Sequence, residues 1–122
     1  KIAVFSNDPN VDPKGACVGS RGSRVRQIVN ELKGEKLDVV EWREDKVRFI
    51  IEALGPADID EVILDEDTKS AKVIVKDSQL SLAIGKEGQN ARLAAKLTGY
   101  KIDIEGLGDS PPEEEEPTKE EE

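Results

Sequence analysis

Two four-residue segments, Gly19-Ser20-Arg21-Gly22 and Gly85-Lys86-Glu87-Gly88, carry the residue types in this chain best suited to chemistry. Glycine has no Cβ, so the backbone of such a turn can approach a sugar-phosphate chain closely. A turn that opens a helix adds the unpaired N–H groups and positive dipole end of that helix, which favour an anion. The inner pairs, Ser20-Arg21 and Lys86-Glu87, can then point outward with a hydroxyl or a cation beside a phosphate. Glu87 opposes a purely electrostatic clamp in the second segment, and the neighbouring Lys86 and Arg92 must offset it. A single G-x-x-G carries little weight, because a chain of 122 residues contains about one by chance. Two in matching surroundings carry much more.

The surroundings do match. Gly19 and Gly22 precede Gly85 and Gly88 by 66 residues, while Gly34, Lys36, Leu37 and Asp38 precede Gly99, Lys101, Ile102 and Asp103 by 65. The shared pattern is G-x-x-G, a basic helical stretch, a glycine and a K-[LI]-D-[VI] strand, which marks a duplicated unit. A helical hairpin that needed glycine only to turn would show no excess of cations, yet both turns lie in basic islands. Residues 14–36 hold six bases (Lys14, Arg21, Arg24, Arg26, Lys33 and Lys36) against Glu31 and Glu35. Residues 82–101 hold Lys86, Arg92, Lys96 and Lys101 against Glu87. Such islands fit either a polyanion site or solvated helix faces.

The elements that must position these segments follow from pattern. Residues 1–6 are rich in β-formers and predict a strand. Asp12-Pro13 is an N-cap followed by proline at the first helical position, opening a short helix to Val18. Ser23 is the expected cap of the next helix, which places Val25, Ile28, Val29 and Leu32 on one face, and residues 37–42 form a strand. Glu44 and Asp45 favour a new helix start, Val47, Ile50, Ile51 and Leu54 give it an apolar face, and Gly55-Pro56 stops it. Residues 59–64 and 71–76 predict a hairpin around the turn 65–70. Asp77 or Ser78 is expected to cap a short helix to Ile84, followed by the second G-x-x-G, a helix over 89–97 and a strand over 101–104. The second unit, residues 43–106, therefore reads α-β-β-α-α-β. The first, residues 1–42, reads only β-α-α-β and lacks the leading helix and strand, which suggests a fragment of a longer protein.

Composition removes several classes of function. The chain has no His, no Met and one Cys, which excludes disulfide frameworks, Cys/His zinc sites and His-based acid/base catalysis. No nucleophile motif or P-loop accompanies the abundant carboxylates, so an enzyme is not expected, and nothing calls for a cofactor or a metal. No apolar run approaches the roughly 18 residues that cross a membrane, and a lone Cys fits the cytoplasm. Cys17 lies between Ala16 and Val18 and reads as packing. The formal net charge is −9, but residues 110–122 alone carry seven Glu and one Lys. With no apolar side chain among residues 110–122, the end of the chain (107–122) is expected to be a disordered acidic tail.

The order α-β-β-α-α-β with G-x-x-G between two helices resembles a type II KH domain. More narrowly, the strings SNDPNVDPKGACVGSRGSRV and SLAIGKEGQNARLAAKLTGYKIDI resemble the tandem KH domains of the NusA family of bacterial transcription termination and antitermination factors. The resemblance implies an α+β fold of two tandem type II KH domains, a three-stranded mixed sheet with helices on one face, the first domain lacking its leading helix and strand. It also implies binding of single-stranded RNA beside RNA polymerase, with effects on pausing, termination and antitermination. Polymerase contact would run mainly through regions absent from this chain, and other transcription factors are further candidate partners. In KH domains the groove lies between the G-x-x-G loop, its flanking helices and the strand after them. Carried onto this sequence, the first site comprises Lys14, Val18, Gly19, Ser20, Arg21, Gly22 and Arg24, walled by residues 36–39 from Lys36 onward. The second comprises Ile84, Gly85, Lys86, Glu87, Gly88, Asn90 and Arg92, walled by residues 101–104 from Lys101 onward.

Only four aromatics are present, which suits a groove that holds bases against aliphatic side chains rather than on stacking platforms. Trp42, at a strand end before an amphipathic helix, reads as packing between the units. Asp38 and Asp103 occupy matching strand positions, where they either read base edges or face solvent. The competing function is a KH-like scaffold whose basic faces bind an acidic protein partner.

Overall fold

The structure, a computed structural model, describes residues 1–108. In chain order the elements are β1 (Ile2–Val4), α1 (Pro13–Val18), α2 (Ser23–Glu31), β2 (Val39–Glu41), α3 (Lys46–Ala53), β3 (Glu61–Asp65), β4 (Ser70–Val75), α4 (Asp77–Ile84), α5 (Gln89–Thr98) and β5 (Lys101–Gly106). Short 3₁₀ turns, Ser20–Gly22 and Lys86–Gly88, join α1 to α2 and α4 to α5. β1 pairs in parallel with β2 from Ile2↔Val39 to Val4↔Glu41. In the second unit β3 runs antiparallel to β4, and β4 parallel to β5, giving the order β3-β4-β5. The duplication is thus visible in space: β1-α1-α2-β2 repeats as β4-α4-α5-β5.

Alternation along the strands decides which face the helices cover. Ala71, Val73 and Val75 of β4 are buried while Lys72 is exposed, and Ile102 and Ile104 of β5 turn inward between exposed Lys101, Asp103 and Glu105. The outer face carries Lys72 and Glu105, paired at 3.5 Å, beside the exposed Ile63. The inner face meets Ile50, Ala53 and Leu54 of α3, Ala83 of α4 and Ala94 of α5, which together form the core. Tyr100 closes one end, donating its hydroxyl to Glu66 at 2.7 Å.

Several local expectations need correction. Ser23 is the first residue of α2 rather than its cap; Gly22 holds the cap position with no side-chain bond. Neither Asp77 nor Ser78 caps α4, whose cap position is Lys76; Asp77 Oδ1 instead accepts from Gly108 N at 3.0 Å. Leu107 N likewise donates to Val75 O at 2.7 Å, so the first two residues of the expected tail are tied to the second unit. The rest of that segment lies outside the described residues. β2 is shorter than the predicted 37–42, because its parallel ladder is limited by three-residue β1.

Two helix faces also differ from pattern. In α3 the buried residues are Phe49, Ile50 and Ala53, and Ile51 is exposed. The arc is shifted because α3 packs against both β2 and α5. In α2, Val25 and Val29 are half-buried but Ile28 and Leu32 remain exposed, at 42% and 46%. Their counterparts on α5, Ala94 and Leu97, are covered in a unit where α3 supplies the cover. Asp12 does cap α1, its Oδ1 accepting from Gly15 N at 3.1 Å, with Pro13 first in the helix. Trp42 sits between Phe5 and Phe49, with ring centroids 5.3 and 6.4 Å away, and so bridges the segment just after β1 to α3. No helix among the described residues is long and apolar enough to cross a membrane.

Candidate nucleic-acid interface

The two G-x-x-G turns have nearly the same backbone. Gly19 and Gly85 both have φ of 82°, with ψ of 172° and 167°, a region only glycine occupies readily. Arg21 (φ 53°, ψ 33°) and Glu87 (φ 57°, ψ 27°) are left-handed, as are Gly22 (φ 73°) and Gly88 (φ 75°). Each turn closes on itself, Gly22 N donating to Gly19 O at 3.1 Å and Gly88 N to Gly85 O at 3.0 Å. The two glycines of each motif are required for different reasons. A Cβ on Gly19 would lie 2.9 Å from Arg24 N, and one on Gly85 2.7 Å from Asn90 N, so the first glycine permits contact between the turn and the next helix. A Cβ on Gly22 or Gly88 would meet only a guanidinium nitrogen, at 3.4 or 3.7 Å, so the second glycine answers to its positive φ alone.

The turns deliver α2 and α5 with glycine at the cap position and no capping side chain. Their first-turn N–H groups therefore depend on something other than a cap, and the dipole end they form suits an anion. Ser20, Arg21, Lys86 and Glu87 are exposed beside these helix ends. Lys14 is exposed on α1, Val18 is half-buried at its end, and Ile84 is exposed at the end of α4.

Other predicted site residues are already engaged. Arg24 Nη1 donates to Ala16 O at 3.2 Å. Asn90, at the equivalent place, donates through Nδ2 to Leu54 O at 2.9 Å and Ala83 O at 3.0 Å, fastening α5 to the ends of α3 and α4. Arg92 Nη1 donates to Glu87 O at 3.1 Å. Arg26, outside the site expected from sequence, does the same to Arg21 O. Its signal was present in the 66-residue offset that relates it to Arg92.

The cations of the walls fall differently in the two units. Lys36 and Asp38 line a cleft of about 390 Å³ shared with Gly85, Lys86, Gln89 and Asn90 of the second unit, so the wall of one unit faces the loop of the other. Lys1 completes this junction: its side chain is only 3% exposed, and Nζ pairs with Asp38 and reaches Gly55 O at 3.5 Å. Asp38 is thereby a pinned carboxylate. Lys101 and Asp103 instead alternate with the inward Ile102 and Ile104, on the sheet face away from the helices, and are not brought to the second loop. Trp42 lies elsewhere, in a groove with Phe5, Val11 and acidic Asp8, Glu41 and Glu44. What the arrangement offers chemically is two turns that each open a helix N-terminus, the second of them lining a cleft with Lys36 and Lys86.

Family models match twice: a NusA-like first KH domain over residues 1–42 and a NusA-like second KH domain over residues 46–111. The transcription termination/antitermination protein NusA of Bacillus subtilis is 60% identical over 110 residues, covering 90% of this chain and 30% of that protein. The protein of the same name from Halalkalibacterium halodurans is 62% identical over 104 residues, covering 85% of this chain and 27% of that one. A solved structure described as the crystal structure of APE1850 superposes with a TM-score of 0.59 at 26% identity, over 75% of this chain and 70% of the other. The chain spans under a third of the length of these two curated relatives.

Proposed function

Since the chain belongs to the family of NusA-like tandem KH domains, we propose that it binds one strand of RNA along both units, as the RNA-holding part of a transcription termination and antitermination factor. The observation that carries this reading is the cleft in which Lys36 and Asp38 of the first unit face Gly85 and Lys86 of the second. It sets the wall strand of the first unit beside the turn of the second, and each turn opens a helix whose N-terminal end suits a phosphate. A KH loop holds about four nucleotides, so the pair needs on the order of ten. The strand would be nascent RNA near the polymerase, and holding it would alter pausing, termination and antitermination.

The test is a length series of one single-stranded RNA against the wild-type chain and two variants, Ser20→Asp with Arg21→Asp and Lys86→Asp with Glu87→Asp. Rigid coupling makes the second contact intramolecular. Affinity should therefore rise steeply between about five and about ten nucleotides, and either variant should remove most of that rise. Affinity growing only as the number of sites would mean that the grooves act independently. No binding at low salt would defeat the RNA reading and leave an acidic protein partner as the object of the basic faces.

A further inference from the structure

The fourth residue of each helix that follows a G-x-x-G turn is an arginine, Arg26 in α2 and Arg92 in α5. A cation in the first turn of a helix opposes the helix dipole, so both positions need a local reason. Helical side chains lean toward the N-terminus, and here both guanidinium groups reach back over the turn. Arg92 Nη1 donates to the carbonyl of Glu87 at 3.1 Å, and Arg26 Nη1 to the carbonyl of Arg21. Those two carbonyls belong to the non-glycine residues held left-handed inside the turns, at φ 57° and 53°. The inner pairs differ in chemistry, Ser20-Arg21 against Lys86-Glu87, yet backbone and arginine contact recur. What the two turns share is therefore the brace rather than the charge they present.

We propose that Arg26 and Arg92 are positioning residues: each holds its turn in the strained left-handed conformation that presents the loop to RNA, without itself contacting phosphate. This rests on the RNA-binding reading above and reassigns Arg92 from the direct contacts. Without the brace, the left-handed residue relaxes toward ordinary backbone angles, and the turn is no longer preformed when the strand arrives.

The test compares the full chain with Arg92→Gln, Lys86→Gln and Arg92→Gln combined with Glu87→Gly or with Glu87→Gln, in RNA titrations across salt and in amide hydrogen exchange of residues 85–88 without RNA. The brace predicts that Arg92→Gln weakens binding about tenfold with the salt slope unchanged, and speeds exchange in the turn. Adding Glu87→Gly should restore clearly more affinity than adding Glu87→Gln, which removes the same carboxylate but keeps a side chain, because glycine enters the left-handed region without strain. Lys86→Gln, which removes a cation from the apex, should lower the salt slope by about 0.7, the value of one single-strand phosphate contact, and leave exchange alone. If Arg92→Gln instead lowers the slope by about that amount with exchange unchanged, Arg92 grips phosphate and the proposal is overturned. If the wild-type chain binds no RNA at any salt, the function reading fails, while unchanged exchange in Arg92→Gln would independently sink the brace. Arg26→Gln repeats the experiment on the first turn.

Discussion

Replacing Gly85 and Gly88 separately by alanine tests whether the two glycines of one motif are held to different standards. Gly88 needs only a left-handed backbone, and a Cβ there has 3.7 Å to its nearest neighbour. Gly88→Ala should cost about 1 kcal/mol, the usual penalty for a side chain at positive φ. Gly85 combines φ of 82° and ψ of 167° with a Cβ that would lie 2.7 Å from both Asn90 N and Asn90 Cβ. The conformation alone costs about 1–3 kcal/mol for a non-glycine residue. Relieving the clash means moving the start of α5, which strains the bonds of Asn90 to Leu54 O and Ala83 O, each contributing about 1 kcal/mol. Gly85→Ala should therefore cost about 3–4 kcal/mol, a large share of the roughly 5–15 kcal/mol of a small domain. Urea denaturation followed by the fluorescence of the single Trp and by circular dichroism gives both values. Costs within about 0.5 kcal/mol of each other, or a larger cost at Gly88, would refute the division of roles.

Three further outcomes are expected. The Tyr100 phenol is held above its ordinary pKa by its hydrogen bond to Glu66, then by burial and by the Glu66 charge. The folded state thus keeps that proton longer than the unfolded one, so stability present below about pH 10 should fall as pH rises through the raised value. Absorbance of the single tyrosine should report a lower titration midpoint in Glu66→Ala. Asp38→Asn leaves the buried Lys1 ammonium a weaker partner and should lower stability by about 1–2 kcal/mol; an unchanged denaturation midpoint would mean that the pair contributes nothing. Removing residues 110–122 changes the formal net charge from −9 to −3. RNA affinity should then rise at low salt and converge with the full chain near physiological ionic strength; equal low-salt affinities would make the tail a passive end.

The duplication, the order of elements and the glycine turns were legible in the sequence because each leaves a periodic or positional trace. Asp12-Pro13 is such a trace, and the structure uses it as a cap and first residue. What pattern did not carry was anything decided between elements distant in the sequence. Ile51 belongs to a faultless i, i+3, i+4, i+7 series, yet it faces solvent because α3 turns its Phe49 side toward Trp42. Asn90 looked like a groove residue by its place after the loop, whereas its amide is spent on carbonyls 7 and 36 residues away in sequence. The same limit hid the facing of Lys36 and Asp38 toward the opposite unit's loop: spacing within a repeat says which residues correspond, not which copies meet. Arg26 was overlooked for a local reason. On a basic helix one cation resembles another until the carbonyl it answers is seen.

The hydrophobic core is unevenly shared. Among the described residues before Trp42 only Val39 and Val40 are hydrophobic residues in the buried class, while the main cluster runs from Ile50 to Tyr100. Local opening free energy follows buried apolar contact, so amides of the first unit should exchange with solvent well before those of β4 and α5. A strand of RNA laid along both units would then meet a rigid half and a breathing half. Its grip on the breathing half would include an ordering step, visible as a heat-capacity change more negative than the contact area alone accounts for. In that sense the more stable unit acts as an anchor, and the softer one sets how closely the chain adapts to the strand it holds.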